Sequence, residues 1–413
     1  MKKNVYRLIV VVSILFFYPI TTAKKHYNVV VIKPVADALG SPIRSFFHKT
    51  PPTKSYELLP VCGAFPGASS GCPRVHQLLF HEMANAIKEK DDEVLVEITN
   101  CYYTSHDHAA PQKTYWTLKK NIIRLNMLED SGVNTALFPP PICCKNPQSL
   151  SNKDVATLTK PWHDINTNKT FSAGTRFLRK KTEESSYGTA VHIFDSDKNN
   201  FISAIIPNEY LAEISQNIQE KIQTFIHILK QWAHQSQGYI PYVWGGCSFT
   251  YTAQENAIQM PSTLDANTAF YTIKDFSYTP KPGFDCSNMI MRAAQIAGIP
   301  FFFKNSFTIL HHLKKVESVE TLSAGDIIWI PGHVMVLADT EKNTLIEARG
   351  YKNGQGKVQE IELKKVFKNI KNYKDLFNAW HNKQPIDRLG EDGSIIETIK
   401  RIELLSMQSI MSD

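Results

Sequence analysis

The chain has 413 residues, 43% apolar and 21% charged, which excludes both a single small module and a largely disordered chain. Its formal charge is +7, falling to +4 once the basic leader residues Lys2, Lys3 and Arg7 are set aside. With no concentrated Lys/Arg stripe and no recognition motif, that surplus gives no reason to expect a nucleic-acid partner.

The N-terminus, "MKKNVYRLIVVVSILFFYPITTAKK", has a basic start, an apolar stretch from Leu8 to about Ile20, and small residues ending at Ala23. A run this short suits a secretory signal better than a spanning helix, which needs roughly 20 apolar residues. Residues 1–23 are therefore expected to be a signal peptide, placing the mature chain in the periplasm or cell envelope. If the segment stays uncleaved, it is the one expected membrane contact. Seven cysteines follow: Cys62, Cys72, Cys101, Cys143, Cys144, Cys247 and Cys286. An odd number in an exported chain leaves at least one thiol unpaired or intermolecular. No C-x-x-C occurs, so no zinc pattern is present.

Residues 24–145 hold short alternating apolar runs, as in "VLVEITNCYY" and "TYWTLKKNIIRL", and predict a first small all-β barrel. The cluster "LFPPPICCKNPQSLSNKD" reads as a linker. Residues 155–215 alternate again, with turns at "SAG" and "DSDKNN", and predict a second barrel. From 217 to 235 the period changes, with Ile218, Ile222, Phe225, Ile226, Leu229 and Trp232 at steps of three and four, an amphipathic helix. It opens an α+β domain expected over 216–385. Residues 386–413 are read as a tail without an assigned role.

Within that domain Cys286 opens an apolar helical run that Gly298 closes. Unpaired N–H groups at a helix N-terminus favour a thiolate. A thiol nucleophile also needs a base, normally histidine, and a polar group that orients the ring. His333 heads the apolar strand "HVMVLAD", and Glu347 stands inside the apolar "TLIEARG". Asp339 and Asn343 are the rivals for the orienting position. His311 and His312 fall on a helix as surface or packing residues, and Cys247 follows a Gly-Gly turn as a structural or paired cysteine. His106 and His108 lack a third metal ligand.

Four elements in order, "YVWGG", "FDCS" opening a helix that ends "GIP", "GDIIWI" followed by "HV", and a polar-bearing strand, resemble the NlpC/P60 cysteine peptidases over roughly 217–370. These have a papain-like fold, and the upstream segments resemble bacterial SH3-like domains. The resemblance implies Cys286 as nucleophile, His333 as general base and Glu347 at the third position, where histidine is commonest in the family. It implies substrate contacts from Tyr242, Asp285, Ser287 and Ser306, with Asp285 and Ser287 binding a free N-terminal amine. Glu82 and Tyr115 from the first barrel are candidates to close the same pocket. The expected function is an exported endopeptidase cutting the γ-D-glutamyl to L-diamino acid bond of peptidoglycan stem peptides, with no metal or organic cofactor. A wall amidase and an inactive wall-binding protein are the alternatives. The segment 249–283 is longer than the family needs and is expected to cap the cleft.

Overall fold

In the computed structural model the described residues are 26–42, 57–59, 74–103, 113–185, 187–234, 239–250, 271–274, 277–278, 282–350 and 356–411. The leader, Cys62, Cys72, His106, His108 and most of 249–283 lie outside them. The architecture is mixed α/β, with antiparallel sheets dominating.

Seven strands form the first sheet, in the spatial order Arg74–Leu79, Val35–Leu39, Thr114–Leu118, Glu93–Glu97, Met83–Lys90, Tyr27–Val31, Ile122–Arg124. Its first and last strands do not pair, so the expected barrel is open. Short alternating strands specify a half-buried sheet without specifying closure. Here the apolar face is covered by another element: Leu78, Val94 and Val96 share one buried core with Met289, Ile290 and Phe301 of the third unit. The second sheet, Val155–Thr157, Arg176–Ser185, Gly188–Asp195, Asn200–Pro207, is likewise an open meander. It packs Phe177 and Phe194 on Phe80 of the first unit, with Phe171 from the adjoining hairpin Trp162–Asp164/Lys169–Phe171. The two SH3-like barrels are thus replaced by two open sheets that close their cores against neighbours.

The amphipathic helix runs Ile218–Ala233 and starts where the Asn217 side chain accepts from Gln219 N and Glu220 N. Its buried face carries Ile222, Phe225, Ile228, Leu229 and Trp232, while Ile218 is exposed. Trp232 stacks on Phe284 at 4.6 Å, two residues before Cys286. The third sheet has the order Val358–Glu362, Thr344–Ala348, His333–Asp339, Ile327–Ile330, Glu403–Leu405. Its edge strand comes from the segment read as a tail. That segment also contributes the hairpin Ile386–Leu389 with Ile395–Ile399. Leu404 and Ile386 are buried in the core behind the sheet, beside Leu337, Leu345 and Phe367.

Candidate active site

The helix Cys286–Ile296 is buried along its whole length and ends before Gly298, whose φ of 75° is the left-handed turn that glycine adopts freely. Asp285 caps it. One carboxylate oxygen accepts from Asn288 N at 2.7 Å and Ser287 Oγ at 2.9 Å. The other accepts from Asn288 Nδ2 at 2.9 Å and Gly245 N at 3.1 Å. Four donors fill the acceptor sites of a carboxylate, so Asp285 fixes the start of the helix and has no acceptor left for the expected substrate amine. Ser287 Oγ gives its proton to the same cap and keeps its lone pairs as acceptors.

The loop that supplies Gly245 is held by the first sheet. Arg74 Nη1 donates to Trp244 O at 2.9 Å, and Gln77 Oε1 accepts from Cys247 N at 2.9 Å and Ser248 Oγ at 2.7 Å. Buried Asp37 accepts from both Arg74 Nε and Gln77 Nε2 at 2.8 Å. Gly245 has φ 69°, and a Cβ there would lie 2.7 Å from Arg74 O. Gly245 therefore lets the first sheet touch this loop, while a Cβ on Gly246 would lie 2.5 Å from Gly283 O.

The Cys286 side chain shares one buried core with Val334 of the strand His333–Asp339. His333, one residue earlier, bonds through Nε2 to Glu347 Oε2 at 2.9 Å. A carboxylate only accepts, so Nε2 carries the proton and Nδ1 is the basic nitrogen. Burial lowers the His333 pKa below 6.5, and Arg388 and Arg349 add to that while Glu347 opposes it. The imidazole is neutral at neutral pH.

Burial also decides the state of the thiol. Cys286 is 7% exposed, and desolvation, followed by the Asp285 charge, pushes its pKa up to about 12 against the helix amides and Val334 N–H. The helix-terminus argument for a resting thiolate is thus overruled: the N–H groups point as expected, but desolvation outweighs them. The resting pair is neutral thiol and neutral imidazole.

Glu347 is fully buried. Burial alone would raise its pKa, yet Arg388 and His333, with Arg349, outweigh it and hold the carboxyl at about 2. Arg388 Nη2 sits 2.9 Å from Oε2, Gln359 Nε2 3.2 Å from Oε1, and Arg349 Nη1 3.8 Å from Oε1. Asp339 instead pairs with Lys230 at 3.0 Å, and Asn343 caps a turn at φ 54°; neither reaches the ring.

No protein-family model matches the sequence. No curated protein matches it either. Among solved structures the chain is similar to an NlpC/P60 family protein from Bacillus cereus ATCC 10987. The TM-score is 0.49 at 15% identity, covering 84% of this chain and 96% of that one. It is also similar to NlpC1 from Trichomonas vaginalis, at TM-score 0.30 and 10% identity over 84% of this chain and 91% of that one. For NlpC2 from the same organism the TM-score is 0.28 at 10% identity, over 82% and 94%.

The remaining candidates divide. Tyr242 is buried, and its N–H donates to Gly356 O while its backbone bridges Phe284, which places it beside the strand Gly283–Phe284 that leads into the Cys286 helix. Ser306 begins the helix Ser306–His312, and its carbonyl accepts from Trp329 Nε1 at 2.8 Å. Glu82 reaches the Cys286 helix through Arg292 Nη1 at 2.9 Å and also accepts from Asn100 Nδ2; it braces the helix and does not meet Asp285. Tyr115 is fully buried in the core of the first sheet, so it cannot line an open pocket. His311 and His312 are exposed on their helix. Cys101, Cys143, Cys144, Cys247 and Cys286 are all free thiols, and Cys247 is buried. Arg388, Gln359 and Gln77 escaped the sequence reading. Arg388 shares the buried face of its strand with Ile386, and no local pattern marked it.

Proposed function

We propose that this protein is an exported cysteine endopeptidase acting on peptidoglycan stem peptides, at the γ-D-glutamyl to L-diamino acid bond. The observation that supports it is the packing of Cys286 in one core with Val334, whose neighbour His333 is locked by Glu347 in the tautomer whose Nδ1 is basic. The choice of bond rests on the motif resemblance.

The resting pair is neutral, so proton transfer accompanies attack. His333 Nδ1 takes the thiol proton as the sulfur adds to the scissile carbonyl. The resulting imidazolium is stabilised by Glu347 and returns the proton to the leaving amine, which departs and leaves a thioester on Cys286. A water then gives a proton to Nδ1 and attacks the thioester, and the regenerated acid and thiol close the cycle. Substrate that covers the cleft must not depend on Asp285 for its amine. Tyr242 and Ser306 remain the proposed substrate contacts.

The 7% exposure of the thiol and its high pKa favour a second reading, a wall-binding protein without turnover. Mass spectrometry of muropeptides incubated with wild type and with Cys286→Ala separates the two. New fragments from wild type alone support the peptidase, and their masses distinguish a γ-D-glutamyl cut from an amidase cut. Identical spectra from both proteins contradict it.

A further inference from the structure

A second concave site lies on the third sheet's edge, between the helix Tyr373–His381 and the strand Glu403–Leu405, as a groove of about 380 Å³. Its walls carry four cations, Lys315, Lys383, Lys400 and Arg401, against one carboxylate, Glu403. Glu403 is consumed in building the wall. Its Oε2 accepts from Lys315 Nζ at 2.8 Å and Trp380 Nε1 at 3.2 Å, and its Oε1 from Arg401 Nε at 3.3 Å. The guanidinium of Arg401 lies over the Trp329 ring at 5.2 Å, which adds a cation–π contact to its ion pair. Two cations and an indole are thus ordered around a buried anion, and Lys383 and Lys400 form no ion pair among the described residues.

Lys383 holds a φ of 53° just past the C-cap Asn382. Glycine is the residue of least strain at that position, so the lysine side chain is kept there against a backbone preference. Basic groups at a helix C-terminus complement its dipole, which would account for Lys383 alone. Lys315, Lys400 and Arg401 arrive from other segments, and the dipole does not explain why they converge on one groove.

The geometry points to a binding site for an oligoanion, a ligand with two or more carboxylates or phosphates that meets the cations while an apolar or sugar face lies along Trp380. The groove is large enough for a ligand of several such units. Glu403 pairs with Trp329, and Trp329 with Val334. The groove therefore begins two strand spacings, roughly 10 Å, from the strand beside Cys286. An anionic polymer held there keeps its neighbouring units near the thiol, whereas a small free polyanion would occupy the groove alone.

Calorimetric titration of the full chain with inorganic pyrophosphate, citrate and short poly-L-glutamate tests the site, using wild type, the double variant Lys383→Gly/Lys400→Gln, and Cys286→Ala. The expected result is saturable binding of at least one probe, weakened about tenfold or more both in the double variant and on raising salt from about 50 mM to about 300 mM. Cys286→Ala should bind as wild type does, because no groove contact involves the thiol. Preference for poly-L-glutamate assigns the groove to a polymer, and equal binding of citrate or pyrophosphate to a small polyanion. No saturable binding of any probe, or undiminished binding by the double variant, overturns the inference.

Discussion

Replacing Arg388 by methionine keeps much of the side chain's volume and removes the cation closest to Glu347. Glu347 is fully buried, and its pKa is held at about 2 against an ordinary 4.5. That difference corresponds to about 3 kcal/mol of stability at neutral pH. Stripping one partner from a buried pair costs about 3–5 kcal/mol. Arg349 remains 3.8 Å away, which favours the lower end, so Arg388→Met should lose about 3 kcal/mol at pH 7. The sign follows from a depressed carboxylate: the contribution is present above 4.5 and is lost as pH falls through the folded value near 2. At pH 3 the wild type has already given up more than half of it, so the gap between the proteins should shrink to roughly 1 kcal/mol. Urea unfolding of both proteins at pH 7 and pH 3 measures this. Arg388 also lowers the His333 pKa, so the acid limb of the pH–rate profile should move to higher pH in the variant. Arg388→Lys should restore part of both effects. A deficit that is the same at pH 3 and pH 7, or one below about 0.5 kcal/mol with an unmoved acid limb, would refute the assignment.

Three further outcomes follow from the site. Alkylation of Cys286 by iodoacetamide should be slow at pH 7 and still rising above pH 9, because the thiol is 7% exposed and titrates near 12; a fast reaction with a plateau below pH 7 would show a resting ion pair instead. Turnover by wild type should fall only as pH drops below 6.5, since burial depresses the folded pKa of His333 and only the neutral ring accepts a proton; an acid limb centred above 7 contradicts this. Gln77→Ala leaves Cys247 N–H and Ser248 O–H without the acceptor they share. It should cost about 2–4 kcal/mol and lower kcat more than KM is changed, measured by unfolding and steady-state assays; unchanged kcat would separate the first sheet from the catalytic loop.

The proposed reacting groups were legible because each broke a local pattern. His333 and Glu347 are polar positions in apolar strands, and Cys286 starts a helix whose stop, Gly298, is equally visible. The helix at 218–233 was legible from its period, with its buried face displaced only from Ile218 toward Ile228. What surrounds these residues was not legible, because it depends on pairings between distant segments. Nothing near Arg388 says that its hairpin will return to Glu347, and nothing in "ELL" says that residues 403–405 will edge the third sheet. The expectation of closed barrels failed for the same reason: alternation gives each strand an apolar face but not the partner that covers it, which here is the helix of Cys286. The thiolate expectation failed on magnitude, since burial and a neighbouring carboxylate exceed what helix N–H groups return. The acidic neighbour was visible, but the four donors that occupy it were not.

The most direct test of the account is intact-mass spectrometry of the protein quenched within a turnover of a stem tripeptide, L-alanyl-γ-D-glutamyl-diamino acid. The account predicts an acyl adduct of the L-alanyl-γ-D-glutamyl mass on Cys286, labile to hydroxylamine, with no adduct and no released diamino acid from Cys286→Ala. Release of diamino acid by Cys286→Ala at the wild-type rate would contradict it.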